Sequence, residues 1–230
     1  MPMYTPDYQS HNRVQVKICG LTSPEDALAC VSFGADAIGL VFYPKSPRYV
    51  TTRQAARIAS VLQPNVGAVG VFVDTPLDTV LTTAPDCRLS AVQLHGAETP
   101  AFVAQVRQAG LSVIKGLYLN GDPNIRSAAE YADAIAFLVE CAAGKMPGGN
   151  AMAWDWRGAR DFGGRYPIIL AGGLKPESVG EAITAANPDA VDVSSGVEAS
   201  PGRKDPNRVR DFIRAACAAP VSHPKRRIFS

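Results

Sequence analysis

Long apolar runs are missing from this chain of 230 residues. No stretch reaches the roughly 18–20 consecutive apolar residues that a membrane-spanning helix needs. No membrane partner is therefore expected. A charge excess of one sign is missing too. The formal net charge is +2, which leaves no field to draw nucleic acid or an anionic surface. The basic cluster Lys225-Arg226-Arg227 is read as a solvated tail. Five cysteines (Cys19, Cys30, Cys87, Cys141, Cys217) are scattered and odd in number, and no C-x-x-C pair occurs. Neither a zinc site nor a disulfide framework is indicated, so no metal is expected. The polar residues 1–12 lack the apolar core of a signal peptide. These absences together favour a cytoplasmic protein of a reducing compartment.

What is present is an ample apolar fraction, 47%, arranged in alternation. Short segments rich in Val, Ile and Leu lie near 16–19, 37–42, 68–73, 91–94, 112–116, 134–139, 168–171 and 190–193. They are almost continuously apolar, as suits parallel strands covered on both faces. Between them stand helix-start signals. Ser23-Pro24-Glu25-Asp26 combines a capping serine, a first-turn proline and acids at the positive end of the dipole. Thr51 or Thr52 caps a second helix, and Thr75-Pro76, Thr99-Pro100 and Lys175-Pro176-Glu177 repeat the proline device. Asp122-Pro123, Trp154-Asp155 and Asp205-Pro206 mark three more starts. Eight strands and eight helices predict a single-domain α/β fold, the (β/α)₈ or TIM barrel of parallel strands. A doubly wound open sheet usually shows G-x-G-x-x-G after its first strand, and Cys19-Gly20-Leu21-Thr22 is not that. The expected layout is a polar N-terminal extension over 1–13, the barrel over 14–217 and a basic tail over 218–230. The glycine-rich run 144–150 is read as a mobile loop within one βα unit.

Active sites of such barrels lie at the C-terminal ends of the strands. Two small-residue turns close strands seven and eight: Gly172-Gly173 and Ser194-Ser195-Gly196. Backbone N–H groups at such turns approach an anion closely, and these two loops are the usual phosphate site of the architecture. Cys19 ends strand one just before Gly20. A thiol there faces the pocket and serves as a base if its pKa is lowered. The alternative is a cysteine that only packs. Glu140 closes strand six among Phe137, Leu138 and Val139. Apolar surroundings raise a carboxyl pKa and suit a general acid. The structural alternative is a pair with Lys115. Arg48, in a loop stiffened by Pro44 and Pro47, suits a substrate carboxylate. Gln93 and His95 end strand four and are read as lining. Asp74 and Asp192 bind sugar hydroxyls or cap their turns. The set points to an enzyme acting on a phosphorylated sugar.

The runs Lys17-Ile18-Cys19-Gly20-Leu21-Thr22, Gly39-Leu40-Val41-Phe42 and Ser46-Pro47-Arg48-Tyr49-Val50 resemble the phosphoribosylanthranilate isomerase family. So do Gly70-Val71-Phe72-Val73, Val92-Gln93-Leu94-His95-Gly96, Leu170-Ala171-Gly172-Gly173-Leu174 and Asp192-Val193-Ser194-Ser195-Gly196-Val197-Glu198. The matches fall in order at successive strand ends over about residues 14–217. The resemblance implies a (β/α)₈ isomerase of tryptophan biosynthesis. Its reaction is the Amadori rearrangement of N-(5-phosphoribosyl)anthranilate to 1-(2-carboxyphenylamino)-1-deoxyribulose 5-phosphate, with no cofactor. It also implies Cys19 as the base at C2′, Arg48 on the anthranilate carboxylate, and the two turns on the phosphate. The chain is expected to act alone or as a weak homodimer, with a small phosphorylated sugar as its only ligand.

Two departures stand out. The family closes strand six with an aspartate, whereas Leu138-Val139-Glu140 places a glutamate there, one methylene longer. The family then carries Gly-Gly-Thr-Gly, where this chain has Gly148-Gly149-Asn150-Ala151. These changes keep open a diverged paralogue acting on another amino-sugar phosphate, and a non-catalytic barrel that binds phosphorylated ligands. A histidine-pathway sugar isomerase of the same fold is a further rival, but such enzymes use aspartates as base and acid.

Overall fold

The computed structural model describes residues 13–141, 154–222 and 224–229. The glycine-rich run and the whole segment 142–153 fall outside the described residues, as do residues 1–12 of the N-terminal extension.

Eight parallel strands close on themselves: β1 (Gln15–Cys19), β2 (Ala37–Val41), β3 (Gly67–Phe72), β4 (Ala91–Leu94), β5 (Ser112–Tyr118), β6 (Ala136–Glu140), β7 (Ile168–Leu170) and β8 (Ala190–Val193). Closure comes from β1 beside β8, with Lys17 opposite Asp192 and Ile18 opposite Val193. Nearly every strand residue is buried. That follows from the continuous apolar runs, since one strand face meets the helices and the other meets the barrel interior.

The helices begin where capping chemistry puts them. In α1 (Pro24–Ser32) the Asp26 N–H donates to Ser23 Oγ at 3.1 Å. In α2 (Thr52–Ala59) Thr51 and Gln54 form a reciprocal capping box. Thr99 caps α4 (Pro100–Gln108), and Asp205 caps α7 (Pro206–Ala218) through the N–H groups of Asn207 and Arg208. The proline device works less well elsewhere. Helix α3 (Leu77–Asp86) has no side-chain cap. Helix α6 (Val179–Ala186) starts after a turn over the proline expected to open it. The fifth crossover carries a 3₁₀ segment, Ile125–Tyr131, capped by Asn124. The sixth carries a short 3₁₀ turn (Trp156–Ala159) running into α5 (Arg160–Arg165), whose Gly163-Gly164 pair weakens a longer helix. A small hairpin, β9 (Glu198–Ser200) with β10 (Arg203–Lys204), interrupts the chain between β8 and α7 and had no counterpart in the apolar pattern.

The solvated-tail reading is overturned. Residues 224–229 run across the N-terminal mouth of the barrel, where Phe229 packs in one cluster with Ala37, Val69, Ala91, Ile114 and Ile169. Phe229 is only 4% exposed. Gln15 fastens its backbone: Oε1 accepts from the N–H groups of Ile228 (2.7 Å) and Phe229 (3.0 Å), and Nε2 donates to the Phe229 carbonyl (2.7 Å). Arg226 pairs with Asp189 at 2.7 Å and also donates to the carbonyls of Gly163 and Tyr166. Lys225 is buried against Asn187. Lys225 and Arg226 are thus matched to protein acceptors rather than to water alone, whereas Arg227 stays exposed.

Candidate active site

At the opposite mouth the strand ends surround an open cleft. Of the candidate site residues named from the sequence, all but Asp74 line it: Cys19, Arg48, Gln93, His95, Glu140, Gly172, Gly173, Asp192, Ser194, Ser195 and Gly196. Tyr43, Ser46 and Leu174 line it as well. Asp74 stands apart, with its Oδ1 accepting from the Ala97 N–H at 2.7 Å, so it holds a turn.

The anion side of the cleft is built by backbone. Gly172 and Gly173 have φ of 85° and 70°, a left-handed conformation that glycine adopts without a Cβ penalty. Trp154 fixes this turn from outside, donating Nε1–H to the Ala171 carbonyl at 3.1 Å. Opposite, a Cβ on Gly196 would collide with the Leu174 carbonyl, which is why the two turns approach so closely. Ser194 Oγ is buried with no hydrogen-bond partner among the described residues.

Cys19 sits on the floor, 7% exposed. Gly39 on the neighbouring strand makes its space, since a Cβ there would stand 2.6 Å from the sulfur. Burial pushes the thiol pKa up; the Lys17 ammonium pulls it down, Asp192 adds to the rise and Lys204 opposes it. Glu140 does not pair with Lys115, because Lys115 is taken by Glu98 at 3.0 Å and by the Gly96 carbonyl at 2.7 Å. Glu140 is instead buried with few polar neighbours. Desolvation, helped by Asp192, raises its pKa to about 7. His95 Nε2 lies 3.9 Å from its carboxyl. Burial and the charge of Lys115 lower the His95 pKa to about 3, so the imidazole is neutral. Gln93 Nε2 and His95 Nδ1 lie 3.1 Å apart. Assigning Gln93 as donor places the ring proton on Nε2, toward Glu140. Gln93 Oε1 and His95 Nε2 are also buried without partners among the described residues. Buried polar atoms are nearly always satisfied in a fold, so three such atoms in one cleft indicate a ligand site.

Arg48 reaches the rim in a bidentate pair with Glu198, both N–O distances 2.8 Å. Lys204 from β10 joins at 2.9 Å and also donates to the Ser194 carbonyl. The unforeseen hairpin therefore supplies the grip that aims Arg48. Lys17 was missed as well. It is fully buried under the cleft, with Nζ 2.8 Å from Asp192 Oδ1. Its signal was a lysine inside the apolar run Val16-Lys17-Ile18. Among the described residues no group of three His, Cys, Asp or Glu side chains is placed to hold a metal ion.

The family model for N-(5'-phosphoribosyl)anthranilate (PRA) isomerase matches residues 16–215. The chain belongs to this family. The isomerase of Desulfatibacillum aliphaticivorans is 48% identical, over 94% of this chain and 99% of its own. The phosphoribosyl anthranilate isomerase from Thermotoga maritima superposes with a TM-score of 0.82 at 41% identity, over 88% of this chain and 98% of its own. A second isomerase structure holds reduced 1-(o-carboxyphenylamino)-1-deoxyribulose 5-phosphate. It matches at a TM-score of 0.79 and 40% identity, over 88% and 98% of the two chains. A further Thermotoga maritima structure, 39% identical with a TM-score of 0.78 over 88% and 98%, is of monomers generated from the dimeric isomerase. The closed barrel and the family membership agree with the expectation drawn from the strand-end motifs. The described residues contain no helix long and apolar enough to cross a membrane.

Proposed function

We propose that this isomerase converts N-(5'-phosphoribosyl)anthranilate to 1-(2-carboxyphenylamino)-1-deoxyribulose 5-phosphate, a step of tryptophan biosynthesis, with Cys19 as base and Glu140 as acid. One observation carries the assignment of roles. A thiol, a buried carboxyl and two small-residue turns share one cleft, and the carboxyl has a pKa of about 7. The first two can move protons and the turns can seat a phosphate.

The substrate phosphate sits between Gly172-Gly173 and Ser194-Ser195-Gly196, where Ser194 Oγ is available. The anthranilate carboxylate meets the Arg48 guanidinium on the edge that Glu198 leaves open. Glu140, protonated at neutral pH in a large fraction, gives its proton to the furanose ring oxygen. The C1′–O4′ bond breaks and an iminium forms at C1′. The Cys19 thiolate then takes the C2′ proton, and the resulting enol relaxes to the ketone at C2′. Neutral His95 can donate to Glu140 once that group becomes a carboxylate. Each positioned acid or base contributes roughly 10²–10⁴-fold.

The order of the two pKa values shapes the pH profile. The thiol titrates above its ordinary value and Glu140 near 7. The productive form, thiolate with protonated carboxyl, is then a minor species of constant abundance between the two values. Activity rises through pH 7, stays level, and falls as the thiol ionises fully.

The same reading makes the protein a monomer or weak homodimer of the cytoplasm. All five cysteines are free, and the apolar N-terminal mouth is covered by the chain's own tail. The test follows the fluorescence of phosphoribosyl anthranilate as it is consumed. Turnover is expected, and Cys19→Ala should abolish most of it. No turnover by the intact protein would overturn the function. Turnover by Cys19→Ala within about tenfold of the parent would overturn the base while leaving the function.

A further inference from the structure

Resting on the reading of Cys19 as the base, we propose that Lys17 is its positioning residue: the ammonium beneath the cleft is the counter-ion that holds the thiolate in place. Lys17 and Cys19 stand two apart on β1. Alternation along a strand turns both toward the barrel interior. Lys17 is fully buried, and its ammonium donates to Asp192 at 2.8 Å. Its charge acts on the Cys19 sulfur two residues on, and the thiolate in turn favours the ammonium. Gly39, paired with Cys19 across β1 and β2, keeps the sulfur in that position.

The charges facing the thiol come from four elements. They are Lys17 on β1, Asp192 on β8, Lys204 on β10 and Arg48 in the loop after β2. Arg48 and Lys204 are both engaged by Glu198, at 2.8 and 2.9 Å. Lys17 donates to Asp192 and its ammonium has further N–H donors to give. Among the nearby cations it opposes the burial of the thiol most strongly. A plain structural role for the pair is the weaker account, because an apolar pair of like volume is often as stable as a buried ion pair. A buried cation under a buried thiol has a use that an apolar pair lacks. It makes the charged form of the base reachable in a site that otherwise disfavours it.

The test reads the thiol directly and so does not depend on turnover. Alkylation of Cys19 by iodoacetamide is followed against pH by mass spectrometry of its peptide, which separates it from the other four cysteines. In Asp192→Asn the lysine is left to the thiol alone, and the midpoint should fall by about one pH unit. In Asp192→Asn/Lys17→Met, where no charge is left unpaired, the midpoint should rise about two units above that single variant. Lys17→Arg, which keeps a cation, should stay within about one unit of the parent. In the level region of its pH profile, Lys17→Met should lose about tenfold in kcat for each unit that the thiol midpoint rises. Its KM should change less than about threefold. Equal midpoints in Asp192→Asn and the double variant would overturn the proposal. So would Lys17→Arg titrating as high as Lys17→Met. Cys19→Ala retaining full activity would instead end the reading on which the proposal rests.

Discussion

The two mouths of this barrel are built on opposite terms. At the C-terminal mouth three buried polar atoms lack partners among the described residues, the thiol and carboxyl are displaced from their ordinary pKa values, and an imidazole is held neutral. At the N-terminal mouth Gln15 uses both amide atoms on the tail backbone, Asp189 is matched by Arg226, and an apolar layer is sealed by Phe229. Among the described residues, one end leaves buried polar capacity for a ligand and the other leaves none. The same eight strands therefore separate chemistry from stability along a single axis. That separation can be broken or sharpened by substitution.

The largest effect is expected at the base. Cys19→Ala should lower kcat about 10³–10⁴-fold, the upper part of the range for one positioned base. Its melting temperature should stay close to the parent, because only a sulfur facing the cleft is lost. The fluorescence assay beside a thermal melt checks both. A large loss of stability without loss of rate would place Cys19 with the packing residues of the other mouth.

Glu140→Gln comes next. It should lower kcat about 10²–10³-fold, since the amide cannot give up a proton. The level region above pH 7 should vanish from its profile and the rise should continue until the thiol ionises, because the levelling at pH 7 belongs to the Glu140 carboxyl.

The same variant tests the cost of the site. Glu140 titrates near 4.5 when unfolded and near 7 when folded. A raised folded pKa means that the native state holds the proton more tightly. Stability from this group is therefore full below about pH 4.5, declines as pH rises toward 7, and is lost above that. At pH 8 the parent carries a deficit of as much as about 3 kcal/mol. Glu140→Gln should recover part of it, so the variant melts higher than the parent at pH 8 and not at pH 4.5. Denaturant melts at the two pH values measure this. A variant less stable at both would mean that the carboxyl is satisfied in the fold.

The strands and most helix caps were legible because their signals are local. Val-, Ile- and Leu-rich runs and Ser23, Thr51, Thr99 and Asp205 act within a few residues of themselves. The cleft residues were legible because the architecture fixes which end of each strand carries chemistry. What could not be read was pairing at a distance. Lys17 meets Asp192 from 175 residues away, and Arg48 meets Glu198 from 150. No local pattern encodes either contact. The tail misled for the same reason. Three consecutive cations read as solvated until Asp189 and Asn187 are placed beside Lys225 and Arg226.

The smallest effect lies at the sealed mouth and is the sharpest check on the comparison. Phe229→Ala removes a ring that is 4% exposed among Ala37, Val69, Ala91 and Ile169. A buried Phe→Ala change costs about 3–5 kcal/mol in a rigid core. Here the ring is carried by a strap of irregular backbone over 224–229 rather than by a strand or helix, and that strap can shift to refill its space. About 2 kcal/mol is expected, or roughly 4–8 °C in Tm for a chain of this length. The kcat should change less than about twofold, because Cys19, Glu140 and the phosphate turns stand at the far end of the strands. Replacing Gln15 by Leu should act in the same direction, since the N–H groups of Ile228 and Phe229 lose their shared acceptor. Thermal melts and steady-state rates on the two variants decide it. A drop in kcat that tracks the drop in Tm would mean that the barrel couples its ends. The division between a stabilising mouth and a reactive one would then fail.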